Sequence, residues 1–410
     1  MHLDRKIGSI LERYPQVYAV TKTVYLRLAY AITPRSKSRY PAPDNSFSGF
    51  FGYFDKSPWS IDNNRYLYHR VYRNDDKECR IMLSDLENNT NTEIDVTQAW
   101  NWQQGAMLQW LPGSNAIIYN TIKHNKLAAK IVRLDNLERH IVNMPIQVIH
   151  PNGKEGLTLN YRRLSKLAPD YGYNVQVENF SPDQELSQDG IWYFELFYGE
   201  PKLIVTLEEL TEIEPRPEMQ AAHHKVNHIL YSPDGSKFVF MHRWIGKGGK
   251  FSRLYVGNNP HGNELRILMD ERMVSHYTWR DNDNLLVFGR TSKEGDRYYL
   301  VNVNTGRLKV IGRDVLDIYG DGHPTYSPDR RWIITDTYPD KARMRHLLLY
   351  DNKEDILIKA GSFFAPWKFD GTRRVDLHPR WSPDGTKVSI DSAHEGVRKT
   401  YIIGVSQFMG

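Results

Sequence analysis

The chain has 410 residues, 40% hydrophobic and 12% aromatic, with 54 Lys and Arg against 49 Asp and Glu for a formal net charge of +5. That content supports a large buried core, and the mild basicity favours an acidic ligand while lacking the clustered basic runs of a nucleic-acid stripe. The single cysteine, Cys79, excludes an intrachain disulfide and any Cys-x-x-Cys zinc site, and agrees with a reducing, cytoplasmic compartment.

Residues 1–40 differ from the rest. ILERYPQVYAVTKTVYLRLAYAIT has helical spacing, interrupted by Pro15, and ends in the basic PRSKSR. Lys22 and Arg27 break the apolar stretch and no small-residue cleavage site follows, so it reads neither as a signal peptide nor as a membrane span. The expectation is a helix docked on the protein, in preference to one lying in a membrane interface. No other segment approaches the ~18 consecutive apolar residues of a span.

From residue 41 onward the chain repeats. Aligned on an aromatic anchor (Trp59, Trp110, Tyr231, Trp279, Tyr326, Trp381), six segments read SPWSIDNNRYLYHR, LQWLPGSNAIIYNT, LYSPDGSKFVFMHR, YTWRDNDNLLVFGR, TYSPDRRWIITDTY and RWSPDGTKVSIDSA. Each is a strand end, a Pro/Asp/Gly/Asn turn and a second strand, the signal of a β-hairpin. A third strand follows in each copy, from CRIMLSDL to TYIIGVSQ.

Neighbouring anchors lie 51, 48, 47 and 55 residues apart, with a gap of 121 between Trp110 and Tyr231. Such a period indicates propeller blades. The gap has room for one irregular blade, to which GIWYFELF and PKLIVTLE give two strands. The expectation is therefore an all-β fold, a single seven-bladed β-propeller over 41–410 behind an N-terminal helical extension over 1–40. The last repeat holds about three strands, so a strand from near residues 44–55 is expected to complete it and close the ring, removing exposed sheet edges.

Four histidines recur at one repeat position. Three places before each anchor stand Lys56, Met107, His228, His276, His323 and His378. Equivalent positions converge on the axis of a ring, so four imidazoles point at one centre. His223 and His224 precede one blade, while His124, His242 and His394 each follow the second strand of theirs, where loops form a funnel. A histidine starting such a strand can also simply bond the neighbouring blade.

Several enzyme classes fail on inspection: G-x-S-x-G and H-E-x-x-H are absent, and Gly246-Lys247-Gly248-Gly249-Lys250 lacks the spacing of a phosphate loop. Two uses fit the cluster. Neutral imidazoles can ligate a divalent metal such as Zn²⁺ or Mn²⁺. Alternatively, protonated histidines with Arg243 can bind and neutralise a carboxylate, which acidifies its alpha proton.

The segments HPRWSPDGTKVSIDSAHEGVRKTYII, GHPTYSPDRRWIITDTYP, SPDGSKFVFMHRW, GYFDKSPWS, QQGAMLQWLP and LNYRRLSKLAPDYGY resemble those of the seven-bladed propeller polysaccharide lyases, the oligogalacturonate-lyase-like and ulvan-lyase-like enzymes, over most of residues 49–405. The resemblance implies cleavage of a uronic-acid-containing polysaccharide or oligosaccharide by β-elimination. That chemistry needs a cation on the carboxylate, a base for the C5 proton and an acid for the leaving oxygen.

Tyrosine or histidine fills the proton-transfer roles in this group. Tyr173, then Tyr171, is the expected proton carrier because DYGY lies in the irregular blade, with His124 and Arg243 completing the catalytic set. Gln104, Arg163, His228, His242 and His276 are the candidate substrate contacts. His323, His378 and His394 are the candidate metal ligands. A non-catalytic propeller binding a glycan or protein partner is the reading from another class. A glycosidase would need opposed carboxylates, for which Asp336, Asp391 and Glu395 are available.

Overall fold

The computed structural model describes residues 15–34, 36–72, 75–173, 186–246, 248–259 and 264–409. Its strands form seven sheets, mostly of four antiparallel strands, arranged as the blades of a propeller. Blade 1 comprises Arg65–Tyr72, Asp75–Asp85 and Thr90–Thr97, its inner edge extended by the bridges Phe50 to His69 and Trp59 to Tyr66. Blade 2 runs from Gln109–Trp110 through Ala116–Lys123 and Lys126–Arg133 to Arg139–Val142.

The long gap between anchors holds blade 3, built from Val148–Ile149, Glu155–Leu159, Gly190–Glu195 and Lys202–Thr206. A short helix, Tyr161–Leu167, is inserted between its second and third strands. Blades 4, 5 and 6 open on His223–Tyr231, Val274–Trp279 and Thr325–Tyr326. Blade 7 uses Arg380–Trp381, Lys387–Ser392 and Lys399–Gly404, and its fourth strand is Asn45–Ser48, paired from Asn45 opposite Ile402 to Ser48 opposite Lys399. The ring thus closes with a strand from the expected region.

The repeated turn has a mechanical cause. In Ser232-Pro-Asp-Gly the serine hydroxyl donates to Asp234 at 2.6 Å and accepts from the Lys237 amide at 3.0 Å, and Gly235 takes a positive φ of 76°. Ser382, Asp384 and Gly385 repeat this at φ 72°. Arg330 occupies the same left-handed position at φ 63° without glycine's freedom. Anchor tryptophans join neighbours: Trp110 donates to the Pro58 carbonyl and Trp381 to that of Thr325.

A second device latches blades together. The residue ten places after the anchor is His69, Asn120, Met241, Gly289, Asp336 or Asp391. His69 Nε2 accepts from the Ala106 amide at 3.1 Å, and Asn120 from that of Ile146 at 2.6 Å. Asp336 accepts from Leu377 and His378, and Asp391 from Phe51 and Gly52. Each acceptor satisfies a buried amide at the start of the next blade, where an unpaired N–H would cost about 1–3 kcal/mol. At the blade 3 to blade 4 junction the work passes to basic side chains that donate rather than accept. Arg163 donates to the His224 carbonyl and Lys225 Nζ to that of Leu167.

The N-terminal helix spans Pro15–Ile32. Pro15 is the first of the helix's described residues. Ala29 is buried, and the Tyr30 ring meets Trp367 at 5.7 Å and Phe364 at 6.4 Å, which docks the helix on blade 6 as expected. Residues 1–14 lie outside the described ones. No described helix is long and apolar enough to cross a membrane.

Candidate functional site

The four repeat histidines meet at the axis. Ring centroids of His276 and His323 are 4.3 Å apart, those of His323 and His378 also 4.3 Å, and those of His228 and His276 6.4 Å. All four are buried. Local backbone aims them inward: the inner strands of blades 4 and 5 shift register between Asn227 and Leu230 and between Val274 and Tyr277, which redirects a side chain. His228 and His378 hold φ at 53° and 45°, and Met107, at the equivalent place, at 54°.

Tyr53 and Phe54 plug the ring from blade 1. Tyr53 stacks on His228 at 4.8 Å and 5°, and its hydroxyl lies 3.1 Å from His228 Nε2. Phe54 packs 5.3 Å from His323 and 5.7 Å from His276. The cavity left beside His228 and His276 is only about 10 Å³, too small to admit a sugar ring among the histidines.

Two carboxylates and a backbone carbonyl hold three of the imidazoles in order. Asp321 Oδ1 lies 2.9 Å from His276 Nδ1, and Asp336 Oδ1 lies 2.7 Å from His323 Nδ1. His378 Nδ1 faces the Gly52 carbonyl at 2.7 Å. Burial pushes His228, His276 and His378 below the ordinary histidine range, helped at His228 by the charge of Arg243. Burial acts on His323 as well, but Asp336 and neighbouring carboxylates outweigh it and raise its basicity. Three neutral rings therefore surround one that favours its proton.

Asp376 joins them. It pairs with Arg345 at 2.7 Å and Arg374 at 2.9 Å, and these cations hold its carboxyl far below the usual range although burial opposes ionisation. Ligand atoms of His323, Asp376 and His378 all lie within 4.8 Å of one another. With its Nδ1 facing the Gly52 carbonyl, His378 leaves a buried Nε2 with no hydrogen-bond partner. A two-imidazole, one-carboxylate donor set with an orphaned nitrogen fits a divalent cation such as Zn²⁺ or Mn²⁺.

At the mouth stands Tyr171, its ring 6.0 Å from Tyr53 and 5.5 Å from His228, its hydroxyl 3.3 Å from Arg374 Nη2. Arg374 also binds Asp170, so it ties the blade 3 loop to the segment leading into blade 7. Tyr338 lies 6.0 Å from His323 and is 43% exposed. Half-buried Arg243 forms no ion pair with any described residue, and its charge bears on Tyr53, His228 and His276.

The other sequence candidates lie elsewhere. Tyr173 is packed in the core, stacked on Tyr161 at 4.7 Å, its hydroxyl accepting from Asn120 at 2.7 Å. Its neighbour Tyr171, ranked second from sequence, is the tyrosine that faces the ring. Arg163 is buried in an ion pair with Asp189 at 2.5 Å. His242 sits inside the strand Lys237–Gly246 rather than after it, 3.0 Å from His224.

His124 occupies an exposed turn between two strands of blade 2. His394 packs among Tyr40, Phe363 and Tyr401 and bonds Ser392; Asp376, not His394, is the residue gathered with His323 and His378. Gln104 is buried where Gly52 abuts it, its side-chain amide atoms without partners. Asp336, Asp391 and Glu395 serve three separate hydrogen-bond networks rather than forming an opposed pair.

Sequence reasoning missed Tyr53, Phe54, Asp321, Asp376 and Arg374. One signal was present: Asp-x-His recurs as Asp321-Gly322-His323 and Asp376-Leu377-His378, and in each case the aspartate serves the histidine of the preceding blade. A cavity of about 690 Å³ lies between blades 2 and 3 beside Tyr161, Asp189 and Trp192. Among the described residues that line it there is no histidine, and their one carboxylate already pairs with Arg163, so it lacks the imidazole cluster of the axis.

The sequence matches no family model and no curated protein. Among solved structures, the fold is similar to an oligogalacturonate lyase from Vibrio parahaemolyticus, at 15% identity and a TM-score of 0.61 over 90% of this chain and 94% of that one. An oligogalacturonate lyase in complex with manganese matches at 14% identity and a TM-score of 0.59, over 91% and 96%. A prolyl endopeptidase matches at 12% identity and 0.52, over 95% of this chain and 53% of that one. The likeness across these different activities establishes the propeller fold.

Proposed function

We propose that the protein is a lyase that cleaves a uronic-acid-containing oligosaccharide or polysaccharide by β-elimination at the mouth of its central channel. The observation that carries this reading is the convergence of four buried histidines with Tyr171, Arg243 and Arg374 on one end of the axis. The full-length likeness to two oligogalacturonate lyases supports it.

In this reading Arg243, free of a carboxylate partner among the described residues, binds the uronate, and a guanidinium can do so with two parallel hydrogen bonds. Neutralising that carboxylate acidifies the C5 proton. A divalent ion held by His323, Asp376 and His378 would supply further positive charge for the same purpose. Tyr171, at the mouth, moves the proton: the C5–H bond breaks, its electrons form the C4–C5 double bond, and the C4–O bond breaks with a proton passing to the leaving oxygen. Burial and the Arg243 charge keep His228 neutral, Tyr53 orients its ring through Nε2, and the plug excludes water from beneath the site.

Incubation with a panel of uronic-acid glycans, with and without EDTA, tests this. An unsaturated uronate detected by its ultraviolet absorbance supports elimination, and its suppression by EDTA supports a metal. One observation favours a non-catalytic glycan-binding propeller: Tyr53 and Phe54 fill the channel, and His378 bonds across to blade 1 at Gly52. Binding of the same glycans without any unsaturated product would establish that second reading.

A further inference from the structure

We infer that the N-terminal helix is a peripheral anchor for an anionic lipid surface. One face of Pro15–Ile32 is occupied by blade 6, through Ala29 and Tyr30. The opposite face leaves Val24, Leu28 and Ile32, spaced one turn apart, exposed at 51%, 63% and 86%, with Tyr25 beside them at 43%. Val24, Leu28 and Ile32, turned away from the protein, form an apolar ridge rather than scattered surface residues, while the Tyr25 ring at its edge meets Lys341 at 5.8 Å.

Charge identifies the partner. Residues 13–43 contain Arg13, Lys22, Arg27, Arg35, Lys37 and Arg39 and no acidic residue. Six positive charges here against +5 for the whole chain leave the remainder at −1, so the net basicity of the protein resides in this one stretch. An apolar ridge in a stretch of sequence whose charges are all positive matches the boundary between acyl chains and acidic headgroups, whereas a second copy of the same cationic segment would be repelled. Tyr25, at the edge of the ridge, has the amphipathic ring that settles at that boundary.

The placement has a consequence for access. The helix rests on Phe364 and Trp367, where the segment that carries Arg374 and Asp376 begins. Anchoring there holds the channel mouth near the bilayer, where a surface-attached acidic glycan would be presented.

Sedimentation of the full chain with phosphatidylcholine vesicles, alone or mixed with phosphatidylglycerol, tests the inference. The protein is expected to sediment with the mixed vesicles and not with the neutral ones, and to be released by high salt. Leu28→Glu with Ile32→Glu, both on the exposed face, should weaken binding at least tenfold with the thermal unfolding midpoint unchanged. Absence of binding to the anionic vesicles overturns the inference. So does equal binding by the double variant, or a concentration-dependent dimer that the same substitutions abolish without any vesicle binding. None of these outcomes bears on elimination by the protein in solution.

Discussion

In blades 4 to 7 the residue three places before the anchor is a histidine at the axis, whereas in blades 1 and 2 it is Lys56, paired with Asp55, and Met107, packed in the core. The residue ten places after the anchor follows another division. His69, Asn120, Asp336 and Asp391 latch the next blade, while Met241 and Gly289 offer no polar side chain there. Blade 1 thus spends a histidine on mechanics and blade 7 presents one to the channel. The role of an imidazole here follows from its place in the repeat, not from its burial, since His69 and His378 are equally enclosed.

The largest effect should come from exchanging those two residues for alanine. His378→Ala is expected to lower divalent-metal affinity more than about tenfold and turnover about a hundredfold or more, with a modest loss of stability. His69→Ala loses bonds to Ala106 and Phe51 and leaves a buried void. It should cost about 2–4 kcal/mol while sparing metal affinity. Titration calorimetry and denaturant unfolding separate the two, and a His378 variant that loses only stability would collapse the distinction between site and latch.

The DYGY pair sharpens the same contrast within three residues. Tyr171→Phe should reduce turnover by about 10²–10⁴, because its hydroxyl faces the mouth beside Arg374. Tyr173→Phe removes a buried hydroxyl bonded to Asn120, at a cost of about 1 kcal/mol in stability, and should leave turnover unchanged. Steady-state rates on an accepted glycan decide the matter; equal losses in both variants would exclude a specific part for Tyr171.

The repeat made the fold legible. Its period, its turns and the missing fourth strand of the last blade together specify seven sheets and the closing strand Asn45–Ser48. The histidine ring was legible for the same reason, since repetition converts sequence position into radial position. Residues outside the repeat's phase were not. Tyr171 and Tyr173 share one loop, and only tertiary packing decides which enters the core. His394 and His242 follow or occupy second strands, whose side chains point between blades. Asp376 went unread because its partner His323 belongs to the preceding blade, a relation that appears only when neighbours are placed side by side.

The blade 3 to blade 4 junction, held by Arg163 and Lys225, supplies the smallest and most specific test. Burial, then the nearby Arg243, pushes the Lys225 amine down to about 7, with Asp170 opposing. A neutral amine still donates to the Leu167 carbonyl, so the latch survives loss of the charge. The unfolded chain keeps its lysine protonated up to the ordinary range near 10.4. Between neutrality and that value the unfolded state binds more protons than the folded one, so stability rises with pH, by at most about 1.4 kcal/mol per unit from this group. Below neutrality both states are protonated and the dependence vanishes. Lys225→Met should flatten the rise above pH 7, read from denaturant midpoints across the range. His69→Ala, which removes an uncharged latch, should leave the slope as it is. Parallel slopes in the wild type and Lys225→Met would mean that the buried amine keeps its proton and that this junction is held by charge after all.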